Sequence, residues 1–119
     1  MSLTSKESAK IAYDALASKK AENIQIIDIS EISVLADFFL IADGSNPNQL
    51  QAMCDAVEEE LYKQDVKVKQ IEGNRNSSWI LMDFGYIIVH VFSKEDRLFY
   101  DLERIWGDGK FITVEQLGE

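Results

Sequence analysis

Apolar residues recur along this chain in two periods, and the alternation of those periods outlines the elements. Thr4 to Lys20 reads as a helix: Ala9, Ala12, Tyr13 and Leu16 fall on one side at helical spacing, and Thr4 and Glu7 have capping-box spacing. The stripe is thin and rich in alanine, which predicts a peripheral helix. Ile24 to Ile29 switches to the period of a strand, with Ile24 and Ile26 on one face and Ile27 and Ile29 on the other. Phe38 to Ala42 is apolar without interruption, the pattern of a strand covered on both faces in the middle of a sheet.

Asp43-Gly44-Ser45-Asn46-Pro47 is a turn leading into the strongest helical pattern. Asn46 suits the N-cap, Pro47 the first helical position, and Gln49 completes a capping-box-like spacing. Leu50, Met53, Cys54, Val57 and Leu61 form its stripe, with Glu58, Glu59 and Glu60 crowding the later turns. Val66 to Ile71 predicts a third strand, followed by a polar loop from Glu72 to Ser77. Strand, helix and strand in that order predict a βαβ unit with parallel strands and a right-handed crossover. Trp79 to Asp83 and Tyr86 to Phe92 predict an antiparallel hairpin turning at Phe84-Gly85, its second strand internal to the sheet. A last helix is expected from Ser93 to Trp106, with Leu98, Phe99, Leu102, Ile105 and Trp106 inward. Gly107 and Gly109 end it, leaving 107–119 as a short tail. The expected fold is α/β, a mixed five-stranded sheet packed by helices, and 1–119 forms a single domain.

Composition narrows what such a domain does. With one cysteine, Cys54, and one histidine, His90, the chain has neither an internal disulfide nor the makings of a Cys/His zinc site. No window approaches a membrane span, and Met1 to Lys10 lacks the apolar core of a secretory signal, so a cytoplasmic protein is expected. Twenty-one acidic against 12 basic residues give a net charge of −9. The nine lysines and three arginines are scattered, which argues against sequence-specific nucleic-acid binding. The acidity serves solubility or steers the domain toward basic partners, and composition alone does not choose between them.

Candidate catalysis is thin. His90 sits mid-strand between Val89 and Val91, a setting for a hydrogen-bonded structural histidine rather than a base. Ser45 would act as a nucleophile only if the fold carried it to His90. Gly44-Ser45 between a strand and a helix is similar to the phosphate-cradling turn of nucleotidyltransferases. That chemistry also needs paired carboxylates to hold metal, and Asp83-Phe84-Gly85 offers no second acid two residues on. No metal or cofactor is expected.

Two aromatic residues stand apart from the predicted core. Tyr100 lies about 160–200° around its helix from the Leu98–Leu102–Ile105 stripe, among Arg97, Glu103 and Arg104. Trp79 opens its strand directly after a polar loop. Either can be an interface anchor, since a rigid ring buries area at small entropic cost, or a residue that simply closes the sheet or lies on the surface.

Several stretches, in order and spacing, resemble the Iojap-like ribosomal silencing factors over roughly Lys20 to Trp106. They are Ala36-Asp37-Phe38-Phe39, Gly44-Ser45 with Asn48-Gln49, Glu72-Gly73, Trp79 with Asp83-Phe84-Gly85, Val89-His90-Val91-Phe92, and Arg97 with Tyr100-Asp101-Leu102-Glu103-Arg104-Ile105-Trp106. The resemblance implies a non-enzymatic factor that docks on the fourteenth protein of the large ribosomal subunit, blocks joining of the small subunit, and represses translation under nutrient limitation. It also implies a nucleotidyltransferase-like scaffold without the catalytic carboxylate pair, a homodimer in the free state, and a binding role for Trp79 and Tyr100. Arg97, Asp101 and Glu103 complete the expected contact patch, with acidic side chains steering and rings anchoring. The chain departs from the family pattern before the second helix, where a basic residue is missing, and this weakens the case for RNA contact by that loop. Organellar members carry a transit segment; its absence here implies a bacterial protein.

Overall fold

The computed structural model describes residues 4–31, 34, 36–73, 79–94 and 110–112. The first helix, α1 (Ser5–Ser18), begins as its capping box requires. The Thr4 side chain accepts from the Glu7 N–H, and the Glu7 carboxylate accepts from the Thr4 N–H at 3.0 Å. That hydrogen bonding holds the Glu7 carboxyl below its usual range. Strand β1 (Glu22–Asp28) follows, then β2 (Phe38–Gly44), in which every residue is buried. Helix α2 (Pro47–Tyr62) starts at Asn46, whose side chain accepts from the Gln49 N–H, with proline in the first turn. The chain continues through β3 (Gln70–Glu72), β4 (Trp79–Asp83), β5 (Ile87–Ser93) and β6 (Lys110–Ile112). The expected helix from Ser93 to Trp106 lies, beyond Lys94, outside the described residues.

The sheet order is β3-β4-β5-β2-β1-β6. β2 pairs in parallel with β5, and the other pairings are antiparallel, so the sheet is mixed as expected. The hairpin of β4 and β5 also forms as read. Its turn places Gly85 at φ 97°, a conformation glycine adopts without strain. The Asp83 carboxylate accepts the Gly85 N–H at 2.8 Å.

Two expectations need correction. The sheet has a sixth strand: Lys110–Ile112 pairs along β1, and a three-residue strand in a polar tail carries too little periodicity to announce itself. The third strand is shorter than Val66–Ile71. Val66 and Val68 alternate because they pack against the core, whereas ladder pairing to β4 covers only Gln70 to Glu72. The parallel run expected of β2 and β3 holds, although the two strands are not neighbours. They run in the same direction, since β5 is parallel to β2 and two antiparallel steps lead on to β3, but β4 and β5 lie between them. Pairing partners depend on the whole sheet, which a local strand-helix-strand pattern does not contain.

Alternation along the strands divides the core in two. Ile26, Phe38, Leu40, Ala42, Ile80, Met82, Ile87, Val89 and Val91 face α1 and α2, joining Leu16, Leu50, Met53, Val57 and Leu61. The opposite face carries Ile27, Ile29, Phe39, Ile41 and Phe92, with Trp79 and Ile88 half-buried against them. The split of Ile24 and Ile26 from Ile27 and Ile29 is the one their spacing predicts. Among the described residues, no helix is long and apolar enough to cross a membrane.

Candidate partner-binding face

Trp79 is the first residue of β4, and cross-strand register sets its surroundings. It lies opposite Phe92 on β5, and Leu81 lies opposite His90. With a period of two, Trp79, Leu81 and Asp83 share one face with Ile88, His90 and Phe92. The Trp79 and Phe92 rings stack with centroids 5.2 Å apart at an interplanar angle of 21°. Phe39, reaching across from β2, meets the His90 ring edge-on at 5.0 Å.

A polar contact orients this aromatic group. The Trp79 indole N–H donates to Nδ1 of His90 at 3.1 Å. Accepting at Nδ1 requires the neutral ring to carry its proton on Nε2, which is buried and has no hydrogen-bond partner among the described residues. His90 is only 5 % exposed, and burial pushes its pKa down to about 4. It is therefore a neutral strut under Trp79 at physiological pH. The reading of His90 as a hydrogen-bonded structural residue holds.

Around Trp79 the face remains partly open. Leu81 and Ile88 are half-buried, and Glu72 on β3, opposite Leu81, is exposed. The result is an apolar surface with a carboxylate at its margin, suited to a partner that offers apolar contact beside positive charge. Leu81, Ile88 and Glu72 were not among the expected contact residues, although the alternation that places Trp79 on this face places them there too. Of the other expected contact residues, Arg97, Tyr100, Asp101 and Glu103 lie outside the described residues.

The Gly44-Ser45 turn is occupied by the chain itself. The Ser45 N–H donates to Oε1 of Gln49 at 2.6 Å, and Nε2 of Gln49 donates to the carbonyls of Lys19 and Lys20 at 3.1 and 3.0 Å. Gln49 thus engages the Ser45 amide in place of the cap backbone that its capping-box spacing implied, and it ties the end of α1 to the start of α2. A Cβ on Gly44 would stand 2.9 Å from Cδ2 of Leu50, so close packing accounts for this glycine. Ser45 is remote from His90: Ile41 is the cross-strand partner of His90, and Gly44 lies three residues further along, roughly 10 Å at strand rise. Asp83 spends its carboxylate on the hairpin turn. No group of three or more His, Cys, Asp or Glu residues among the described residues is placed to hold a metal.

Comparison with known proteins decides the family. The profile of a family described as "Ribosomal silencing factor during starvation" matches residues 2–119. The chain belongs to the ribosomal silencing factor family. It is 39 % identical over 113 residues to the ribosomal silencing factor RsfS of Bacillus subtilis, covering 95 % of this chain and 96 % of that one. Against RsfS of Halalkalibacterium halodurans it is 35 % identical over 113 residues, covering 95 % and 97 %. The fold agrees as well. A crystal structure of a Chromobacterium violaceum protein superposes with a TM-score of 0.85 at 30 % identity, covering 93 % of this chain and 92 % of that one.

Proposed function

We propose that this protein binds the large ribosomal subunit through its fourteenth protein and sterically blocks joining of the small subunit, repressing translation when nutrients are limited. The observation that carries this reading is a half-buried tryptophan, fixed in orientation by a buried histidine, on the sheet face of an acidic silencing-factor chain. Trp79 anchors the contact, and Tyr100, Asp101, Glu103 and Arg97 complete it. Carboxylates speed encounter with a basic ribosomal protein, while desolvated rings hold the complex once formed. The action is steric and needs neither cofactor nor metal. The protein works in the cytoplasm, as a homodimer when free.

The nucleotidyltransferase-like alternative draws no support from the site. An anion at the Gly44-Ser45 turn would have to displace Gln49 from the Ser45 amide, and Asp83 is engaged by Gly85.

Subunit joining followed by light scattering tests the proposal. Added in excess to separated subunits, the protein should suppress the rise in scattering that accompanies joining, and Trp79→Ala should restore it. An undiminished rise with wild-type protein would refute the steric reading.

A further inference from the structure

A second surface, on the opposite side of the sheet from Trp79, has the form of a binding trough. Helix α2 packs chiefly over β2 and β5, whereas β4 and β3 continue the sheet beyond it. The step between helix and outermost strand leaves a groove of about 560 Å³ walled by Asp55, Glu58, Glu59, Tyr62, Lys67 and Val68. An adjoining recess of about 140 Å³ shares Asp55 and Glu58 and reaches down to Cys54, Ile71, Ile80 and Met82. Its volume is close to the ~150 Å³ that accommodates a benzene-sized group.

Two properties of this trough call for an occupant of particular chemistry. Large apolar side chains stand exposed at its rim, Tyr62 at 63 % and Ile71 at 44 %, where an aliphatic side chain could bury them. Charge at the wall is unbalanced. Glu59 has Lys63 as an ion-pair partner, but Asp55 and Glu58 have no cation within ion-pair distance among the described residues, and Lys67 is the opposing charge on the wall. Burial pushes the Cys54 thiol beneath this wall up to about 12, and Asp55 and Glu58 add to the effect.

We propose that this trough between α2 and β3 is a docking site for a short basic segment of a partner protein, one aliphatic side chain filling the recess and flanking lysines or arginines meeting Asp55 and Glu58. The carboxylates of Asp55 and Glu58 on the wall select a basic segment as occupant. The site is separate from the Trp79 face, so one molecule can hold two basic partners, or two segments of one, at once.

The test titrates the full-length, 15N-labelled protein with a lysine decapeptide bearing two central leucines, following amide shifts. Two control peptides carry glutamate for lysine, or serine for leucine. Saturable shifts are expected at Asp55, Glu58, Tyr62, Val68 and Ile71, with no response to the glutamate peptide and a weaker one to the serine peptide. Glu58→Lys and Tyr62→Ala, both surface changes, should each weaken binding by about fivefold or more. Trp79→Ala should leave it unchanged, separating this site from large-subunit docking. Absent or dispersed shifts at millimolar peptide, or equal binding of the serine peptide, would overturn the proposal. So would concentration-dependent self-association that Tyr62→Ala abolishes, which would assign the trough to a second copy.

Discussion

The Trp79 indole donates its N–H to Nδ1 of His90, 11 residues away on the neighbouring strand, at 3.1 Å. The contact satisfies the indole N–H and one imidazole nitrogen and fixes the tilt of the tryptophan against Phe92. A side chain held in place before binding loses less rotamer freedom on docking, and that raises affinity without adding a contact. On the proposed function, this accounts for a histidine in the middle of β5, where a valine or isoleucine would otherwise serve.

Truncation of Trp79 should therefore be costly for binding and mild for folding. Trp79→Ala is expected to weaken large-subunit binding by about 2 kcal/mol or more, with far-ultraviolet circular dichroism unchanged. His90→Phe, which keeps the packing and removes the acceptor, should give a smaller loss of binding and a shift in Trp79 fluorescence. Equal affinity of wild type and Trp79→Ala would remove the anchor role.

Acid should weaken the fold through His90. Its pKa falls from 6.5 to about 4 on folding because burial disfavours the charged ring. Between those values the unfolded chain binds the extra proton, so the stabilising difference is fully present above pH 6.5 and is lost as pH falls to about 4. The slope approaches 1.4 kcal/mol per pH unit, roughly 3 kcal/mol in all. Urea melts across this interval should show the decline in wild type and a flatter profile in His90→Phe. Parallel profiles would show that His90 is not the group titrating.

Gln49 offers a separate check on the Gly44-Ser45 turn. Gln49→Ala removes three hydrogen bonds at a partly solvated junction and should cost about 1–2 kcal/mol in chemical denaturation. If the turn is structural, neither wild type nor Gln49→Ala should give heat on titration with ATP and magnesium. Saturable heat in either would revive the nucleotide-binding reading.

How far the sequence could be read follows from what each feature depends on. The unbroken apolar run of β2 announces a strand buried on both faces, and Asn46-Pro47 announces the start of α2, because both are local. The positions of β3 and β6 are not local: their partners lie elsewhere in the chain, and three-residue ladders leave almost no periodicity. The site divides the same way. Trp79 stands out by its position after a polar loop, and His90 by its apolar neighbours. Their pairing requires the hairpin register, which follows from the Phe84-Gly85 turn once Leu81 is set opposite His90. The trough beside α2 was hidden for another reason. Asp55, Glu58, Glu59 and Tyr62 have helical spacing on one face, yet a charged helix face is ordinarily only solvated, and the sheet stepping out beyond the helix is what makes it a wall.

The central claim is most directly tested by sedimenting the purified protein with separated ribosomal subunits at moderate and high salt. Cosedimentation with the large subunit alone is expected, weakened as salt screens the acidic surface and lost in Trp79→Ala. Binding to neither subunit, or to both alike, would contradict it.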